Sequence, residues 1–160
     1  YITINISSPN TKGLRDFHEK NNLKKLLIKI NEIRKESNFN KSFLLKISPD
    51  LDETSIDNIV ELSLQNNING IILTNTTDKN RDKLLDNQKN EEGGLSGQPI
   101  KDLSTKIIKK FYKKLKRRIP IIGVGGVDSG EAAFDKIISG ASAIQLYTGM
   151  IYKGPMIVKK

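Results

Sequence analysis

The sequence predicts an α/β protein that forms part of a (β/α)8 barrel. Five short apolar runs alternate with four segments whose apolar residues recur at intervals of three and four, which indicates strands alternating with helices. The runs are continuously apolar, as expected of parallel strands covered on both faces. Each run ends in polar or glycine residues, and barrels carry their function at the carboxyl ends of their strands. No G-x-G-x-x-G segment opens a helix, so a doubly wound dinucleotide-binding sheet is the weaker alternative.

The amino-terminal half begins with two strands and two helices. Residues 1–6 form a β-type run that ends in a Ser-Ser-Pro-Asn segment. Leucine and isoleucine residues at helical spacing predict a helix through residues 23–33. The next apolar run, residues 42–47, has the pattern of a buried strand. Asp52 then has the character of a helix N-cap, and the periodic residues of 56–64 continue that second helix.

A third strand, residues 70–74, leads into a polar stretch without a clear period. That stretch, residues 76–98, is too long for a simple connection and contains a glycine-rich segment, so we predict a functional or partly helical loop. Apolar spacing indicates a third helix through residues 103–115. The fourth strand, residues 120–124, follows and ends in two consecutive glycines.

The last part of the chain repeats the same alternation. Ser129 is the predicted N-cap of a fourth helix that runs through Ile138. Gly140 suits the position just beyond that helix, because glycine readily adopts the left-handed backbone that ends many helices. Residues 142–147 form the predicted fifth strand, and a further helix is predicted from about Pro155.

Composition and charge exclude several kinds of site within these residues. The net charge is +9, from 27 Lys and Arg against 18 Asp and Glu. The absence of cysteine excludes disulfides, thiolate zinc sites and a cysteine nucleophile. The single histidine, His18, excludes a multi-histidine metal site and is expected at the surface. Much of the positive charge lies in residues 106–118, which we interpret as a solvated helix face rather than a surface for nucleic acid or an anionic membrane.

The ends of the chain and its hydropathy give two further expectations. No apolar run reaches the roughly 18 residues that a membrane-spanning helix needs, so none is predicted in these residues. The chain opens inside a strand pattern and closes inside a helical one. We therefore expect it to be a piece of a longer protein.

Polar residues after the first strand are the first candidates for a binding site. Asn5 and Asn10 lie on either side of Ser8. An uncharged amide both donates and accepts hydrogen bonds, so the pair suits a planar, amide-rich ligand. A plain strand-to-turn exit accounts for the same residues and remains the alternative.

Two other groups of residues suggest an anionic, planar ligand. Gly125 and Gly126 allow close approach of the backbone to an anion, and Tyr147 and Thr148 precede a turn that is suited to phosphate, although plain tight turns remain the alternative. Lys46 lies inside an apolar strand, where a buried charge needs a partner. That partner is either a carboxylate on another strand or the electron-rich edge of a flavin.

Several motifs, in order and at matching spacing over the full length, carry a resemblance to one family. They are Asn-Ile-Ser-Ser-Pro-Asn-Thr-Lys-Gly-Leu-Arg at 5–15, Leu-Lys-Ile-Ser-Pro-Asp-Leu at 45–51, Gly-Ile-Ile-Leu-Thr-Asn-Thr-Thr at 70–77, Gly-Gly-Leu-Ser-Gly-Gln-Pro at 93–99, and the segment from Ile-Ile-Gly-Val-Gly-Gly-Val-Asp-Ser-Gly to Gln-Leu-Tyr-Thr-Gly at 121–149. With these motifs the chain resembles dihydroorotate dehydrogenase, in particular its class 2, quinone-linked, membrane-associated branch.

The resemblance implies a role for each matching residue. Ser8 is the implied catalytic base that takes the C5 proton of dihydroorotate, at a position where class 1 enzymes have cysteine. The implied substrate-binding residues are Asn5, Asn10, Asn75 and Thr76. The implied FMN-binding residues are Asn5, Lys46, Thr74, Gly97, Gly126, Tyr147 and Thr148.

The resemblance also implies the wider function. We expect FMN-dependent oxidation of (S)-dihydroorotate to orotate, with a quinone as electron acceptor, in pyrimidine biosynthesis. Residues 1–160 would be one partial FMN-binding barrel domain, the C-terminal part with about five of the eight βα units of a barrel. The family's first strands and its amino-terminal helical extension lie outside this sequence, and we expect the 160 residues alone to be inactive.

The partners follow from the same resemblance. The extension implies peripheral association with the bacterial or mitochondrial inner membrane, and the complete protein is expected to be a monomer that binds neither nucleic acid nor metal. Two alternatives remain. One is a related FMN barrel that acts on another pyrimidine or an enone, and the other is a nucleic-acid-binding module that uses the basic segment 106–118.

Overall fold

The fold is known from a computed structural model, which describes residues 1–37, 40–79 and 81–159. Five parallel strands form one sheet in the order in which they occur along the chain. They are β1 (Ile2–Asn5), β2 (Phe43–Ile47), β3 (Gly70–Leu73), β4 (Ile121–Gly123) and β5 (Ala143–Ile144). Sequential order of parallel strands is the order found in a barrel, so the predicted fold class is confirmed.

Within the described residues, five α-helices and three short 3-10 helices connect and flank the strands. The α-helices are α1 (Lys20–Glu36), α2 (Glu53–Gln65), α3 (Lys101–Leu115), α4 (Gly130–Ile138) and α5 (Thr148–Lys153). The 3-10 helices are Leu14–His18, Gln98–Ile100 and Pro155–Lys159. No helix in the part of the chain that the structure describes is long and apolar enough to cross a membrane.

The local signals for helix ends are confirmed. The Asp52 carboxylate accepts a hydrogen bond from the Ser55 amide at 2.7 Å, as an N-cap does. The Ser129 hydroxyl accepts from the Ala132 amide at 3.1 Å in the same way at the start of α4. Gly140 follows α4 with a φ of 116°, a backbone conformation that side-chain-bearing residues rarely adopt.

The core lies between the sheet and helices α1, α2 and α3. Alternate strand residues point to this face and meet the apolar stripes of the three helices in one buried cluster. Its fully buried members include Leu23, Leu27, Leu45, Ile47, Ile56, Ile59, Ile71, Leu73, Ile108 and Phe111. Burial of such side chains, at roughly 1.5–3 kcal/mol each, is what holds the strand-and-helix layers together.

The opposite face of the sheet is concave. Leu44 stands beside Gly70 on this face, where a Cβ on the glycine would lie only 2.9 Å from the leucine Cγ. Lys46 shares the face with Leu44, because side chains two apart in a strand point the same way. Across the concavity, the Gln145 Nε2 donates a hydrogen bond of 2.8 Å to the Tyr1 hydroxyl, so the two edge strands approach each other as in a closing barrel.

Two predicted elements end differently in the structure. The fifth strand is shorter than residues 142–147 because β4, its pairing partner, stops at Gly123. The Gln145 amide makes the last ladder bond, to the Gly123 carbonyl at 2.9 Å, and the chain then turns into α5. The segment that begins at Pro155 is a 3-10 helix.

The expectation that His18 lies at the surface was wrong. Only 8% of His18 is exposed, because the 3-10 helix Leu14–His18 packs against α1 and turns the ring inward. Burial, together with the nearby charge of Arg15, lowers the His18 pKa to about 4. The His18 Nε2 is buried and has no hydrogen-bond partner among the described residues.

Candidate active site

A cavity of about 790 Å³ opens at the carboxyl ends of the strands. The strand register aligns the ends of neighbouring strands, since Asn5 pairs with Lys46 and Leu73 pairs with Gly123. The polar and glycine residues at and just beyond these ends therefore meet at one rim. Eight residues predicted from the sequence line it. They are Lys46, Thr74, Asn75, Thr76, Gly97, Gly126, Tyr147 and Thr148.

Asn5 is tied to this cavity through Asn75. The Asn75 Nδ2 donates to the Asn5 Oδ1 at 3.3 Å and to the Ser7 Oγ at 3.0 Å. The Ser7 hydroxyl in turn donates to the Asn5 Oδ1 at 2.9 Å, so the three side chains form one closed polar cluster. Ser7 is fully buried, and its hydroxyl gains a hydrogen bond to each of the two amide side chains.

Ser8 and Asn10 lie outside the lining of the main cavity. The Ser8 Oγ accepts a hydrogen bond from the Asn10 amide at 3.2 Å, which is its only hydrogen bond among the described residues. Asn10 borders a second, smaller cavity of about 460 Å³ together with Pro9 and Asp78. The two residues therefore share one exposed turn beside the main cavity.

Lys46 brings a positive charge to the cavity. Its pKa is lowered because burial disfavours the charged ammonium. The salt bridge to a carboxylate on another strand, which the sequence left open, is absent from the residues that the structure describes. A half-buried cation without a protein anion is suited to an electron-rich or anionic ligand.

Glycines shape the cavity wall at two places. Gly126 has a φ of 72°, and a Cβ there would lie 2.5 Å from the Lys101 Cα, so no side chain fits between this loop and α3. A Cβ on Gly97, which has a φ of 75°, would lie 2.9 Å from the Thr148 Cγ2. The Thr148 hydroxyl donates to the Ser96 hydroxyl at 2.9 Å, which joins the start of α5 to the glycine-rich segment.

The long polar segment predicted as a functional loop covers one side of the same cavity. Its described residues contain one isolated bridge, between Thr77 and Leu95, and no helix before the 3-10 helix that begins at its last residue, Gln98. The Arg81 guanidinium donates to the carbonyls of Lys89, Glu91 and Gly93 and so holds the loop on itself. Sequence reasoning missed this arginine, because its partners are backbone carbonyls that leave no trace in the sequence.

An ion-pair network that is buried at Asp50 and exposed at Asp78 was also missed. The Arg15 guanidinium lies 3.3 Å from the Asp50 carboxylate and 2.9 Å from the Asp78 carboxylate. Asp50 also accepts from the Thr77 hydroxyl at 2.6 Å. The network ties the loops after β1, β2 and β3 together. Opposite charges in these motifs were the available signal, but only the fold determines which of them meet.

The basic segment is partly neutralised by acidic residues of α2. The Lys110 Nζ lies 2.5 Å from a Glu53 carboxylate oxygen, and the Lys114 Nζ lies 2.6 Å from the Asp57 carboxylate. The hydrogen bond to Asp57, with a smaller contribution from Glu53, raises the pKa of Lys114. Phe111 is fully buried in the core and is therefore not available to stack on a nucleic-acid base.

Comparison with known proteins gives one consistent result. The family profile described as dihydroorotate dehydrogenase matches residues 1–160. The chain is 44% identical over 163 residues to a protein of Idiomarina loihiensis named dihydroorotate dehydrogenase (quinone), and covers 48% of it with 99% of its own length. It is 46% identical over 165 residues to a Psychrobacter protein of the same name, of which it also covers 48%, with 100% of its own length. The chain thus spans about half the length of the curated relatives it matches.

Two solved structures share the fold. One is the DHODH of Eimeria tenella in complex with ferulenol, with a TM-score of 0.92 and 34% identity over 100% of this chain and 47% of that one. The other is the ligand-free form of the same enzyme, with a TM-score of 0.91, 34% identity and coverage of 99% of this chain and 48% of that one. The similarity extends over the strands, the helices and the loops that border the cavity.

Proposed function

Because this chain belongs to the dihydroorotate dehydrogenase family, we propose that it supplies five strands of a barrel enzyme that oxidises (S)-dihydroorotate to orotate with a quinone as electron acceptor. The observation that carries the proposal is the convergence of eight predicted site residues on one cavity at the carboxyl ends of the strands. The shared name of the bacterial relatives supports the choice of a quinone. The reaction is a step of pyrimidine biosynthesis.

The chemistry of the cavity suits FMN as the cofactor. Gly125 and Gly126, here called the glycine loop, line the cavity and could present backbone amides to a phosphate, and Lys46 offers a cation without a protein partner among the described residues. We propose that Asn5, Lys46, Thr74, Gly97, Gly126, Tyr147 and Thr148 hold the flavin. When bound there, FMN would supply the acceptor for the hydride of dihydroorotate C6.

Ser8 is the residue we propose as base for the C5 proton. Its neighbour Ser7 is fully buried and already shares its hydroxyl with Asn5 and Asn75. Ser8 accepts only one hydrogen bond among the described residues and donates none there, so its hydroxyl proton can pass to a solvent water as its oxygen takes the C5 proton. Asn5, Asn10, Asn75 and Thr76 are proposed to orient the substrate by its ring and carboxylate, which pre-organises the C5–H bond for transfer.

The same proposal extends to the organisation of the complete protein. We propose that residues 1–160 are part of a single FMN-binding barrel domain, and that the remaining strands and an amino-terminal extension belong to the rest of the complete protein. The coverage of only 48% of a relative supports this. We propose that this extension attaches the enzyme peripherally to the inner membrane of a bacterium or mitochondrion and admits the quinone. The complete protein acts as a monomer.

The full-length protein that contains these residues tests the proposal directly. Purified protein should contain about one FMN per chain and should reduce a short-chain quinone only when dihydroorotate is present. Flavin content is read from the visible spectrum after denaturation, and turnover from quinone absorbance. Protein that binds FMN but reduces an enone or another pyrimidine, and leaves dihydroorotate unchanged, would overturn the proposed substrate.

A further inference from the structure

Lys136 of α4 is completely buried between its own helix, α3 and β4. Its stem passes against Gly123 of β4, where a Cβ on the glycine would lie 3.3 Å from the Lys136 Cβ. The bare backbone at Gly123 therefore makes room for a lysine in the interior. Lysine is almost never buried without a partner, so this position calls for a physical reason.

Three oxygen atoms surround the Lys136 ammonium. The Nζ donates to the Ser104 Oγ at 2.5 Å, to the Thr105 Oγ1 at 3.1 Å and to the Lys101 carbonyl at 3.5 Å. Both hydroxyls have carbonyls to receive their own protons. Thr105 donates to Lys101 at 2.8 Å, and Ser104 has the Gly125 carbonyl at 2.9 Å as the nearer of two acceptors, the other being the Lys101 carbonyl at 3.1 Å. All three oxygens therefore act as acceptors, which matches the three donors of a charged ammonium.

The charges around Lys136 leave it without a direct anionic partner among the described residues. Asp135, its neighbour on α4, pairs instead with Lys101 at 2.8 Å. Burial and the charge of Lys101 lower the Lys136 pKa to about 8, while Asp135 and Asp102 act in the opposite direction. At pH 7 the ammonium is thus largely protonated. A buried, unpaired charge is costly, and a nearby anion would offset that cost.

The ammonium lies directly behind the glycine loop of the cavity. The Ser104 Oγ lies 2.5 Å from the Lys136 Nζ and 2.9 Å from the Gly125 carbonyl oxygen. The ammonium nitrogen and that carbonyl oxygen are therefore at most 5.4 Å apart. The carbonyl and the amide hydrogen of a trans peptide point in opposite directions. Because Ser104 holds the Gly125 carbonyl toward α3, the Gly126 amide faces the other way, and Gly126 lines the cavity.

We propose that Lys136 is a positioning residue for the phosphate group of the flavin, an inference that rests on the proposed function. It holds the Ser104 hydroxyl on the Gly125 carbonyl and so aims the Gly126 amide at the phosphate. Its charge adds a positive potential behind the loop that favours a dianion over a neutral ligand. A unit charge within several ångströms, in a partly buried site, is sufficient for about a tenfold preference or more.

Substitution Lys136→Met in the full-length protein removes the charge and keeps most of the side-chain volume. The measured quantities are the dissociation constants of FMN and of riboflavin, which lacks the phosphate, by fluorescence titration of the apoprotein at pH 7. We expect FMN to bind about tenfold or more weakly, and riboflavin to bind within about twofold of the unsubstituted protein. Lys109→Met, at an exposed position of α3, is the matched control and should leave both constants unchanged.

The pH dependence of binding supplies a readout that needs no variant. The phosphate stays dianionic above its second pKa of about 6. FMN affinity of the unsubstituted protein should therefore fall as the pH rises from 7 through the Lys136 pKa of about 8, while riboflavin affinity should not. If Lys136→Met does not fold, this profile and the variant Ser104→Ala, which should also weaken FMN selectively, provide the test.

Two results would overturn the inference. Equal weakening of FMN and riboflavin in Lys136→Met would mean that the lysine only supports packing, and unchanged FMN affinity would mean that it has no part in phosphate binding. Failure of the unsubstituted protein to bind FMN is a separate outcome, visible without any variant. That outcome would overturn the proposed function itself.

Discussion

The Asn75 Nδ2 lies 3.0 Å from the Ser7 Oγ, although the two residues are 68 positions apart in the chain. This contact joins the loop after β3 to the loop after β1 at the edge of the cavity. It also separates the roles of two adjacent serines. The hydroxyl of Ser7 is used in the polar cluster with Asn5 and Asn75, while that of Ser8 accepts only from the Asn10 amide among the described residues.

The first prediction concerns Ser8. Ser8→Ala in the full-length enzyme should lower the rate of dihydroorotate oxidation by about 10²–10⁴-fold, the usual contribution of a positioned base. The flavin content and visible spectrum should not change, because Ser8 does not line the flavin cavity. Stopped-flow reduction of the bound flavin by dihydroorotate measures the effect. A variant that loses flavin but keeps its turnover per bound flavin would show that Ser8 is not the base.

Ser7→Ala is the matched substitution one residue earlier. It removes a buried hydroxyl and leaves the Asn75 amide without one acceptor, so we expect a loss of about 1–3 kcal/mol in the free energy of unfolding. Denaturant titration followed by circular dichroism gives that value. Equal stability of Ser7→Ala and the unsubstituted protein would argue that the asparagine cluster does not hold the two loops together.

The second prediction concerns the shape of the glycine loop. Gly126→Ala should strongly reduce flavin binding and also destabilise the fold, because the new methyl group would lie 2.5 Å from the Lys101 Cα. Gly154→Ala is the control, since Gly154 has the same φ of 72° but no neighbouring atom within 4 Å of the added Cβ. With its ψ of 174°, Gly154 lies in a backbone region that is essentially confined to glycine, so only that backbone strain, about 1–3 kcal/mol, should appear in the control. Apoprotein titration with FMN and thermal unfolding of both variants measure the difference.

The third prediction separates a buried from an exposed ion pair. Arg15→Met leaves Asp50, whose side chain is 6% exposed, as a buried carboxylate that keeps, among the described residues, the Thr77 hydroxyl as its one side-chain partner. The substitution should cost about 3–5 kcal/mol of stability. Asp78→Asn removes the exposed partner and should cost less than about 1 kcal/mol. Urea titrations at one ionic strength measure both values. Similar losses of stability in the two variants would show that the buried contact of Arg15 with Asp50 contributes no more than its exposed contact with Asp78.

The fourth prediction is a pH dependence that arises from His18. The folded state holds the pKa of His18 at about 4, below its ordinary value of 6.5. The unfolded chain therefore binds more protons between these values, and stability falls as the pH drops from 6.5 to 4. A difference of this size corresponds to about 3 kcal/mol, fully retained above pH 7. Urea midpoints measured from pH 7.5 to pH 4.5 should show the slope.

A variant without the titrating ring isolates this contribution. His18→Gln keeps a polar side chain but cannot take up a proton, so its stability should be nearly independent of pH between 5 and 7. Carboxylates with lowered pKa values, such as those of Asp52 and Asp78, titrate at lower pH and are common to both proteins. Parallel pH profiles for the two proteins would exclude His18 as the source.

Much of the fold follows from local signals in the sequence. The apolar runs mark the strands because parallel strands are buried on both faces, and Asp52 and Ser129 mark helix starts because an N-cap bonds a backbone amide only three residues away. The shared position of Lys46, Thr74 and Gly126 at one cavity was also predictable. Parallel strands bring their carboxyl ends to one rim, so residues that follow successive strands meet there.

Interactions between distant segments depend on the tertiary structure alone. The sequence did not predict that His18 is buried, that Arg15 meets Asp50, or that Lys136 lies behind the glycine loop. The sequence also predicted a longer fifth strand than the one that forms. The strand is short because β4, its pairing partner, ends at Gly123. Capping and hydrophobic periodicity involve residues a few positions apart, which a sequence displays. Burial and ion pairing depend on which segments pack against each other, and that is settled only when the whole chain has folded.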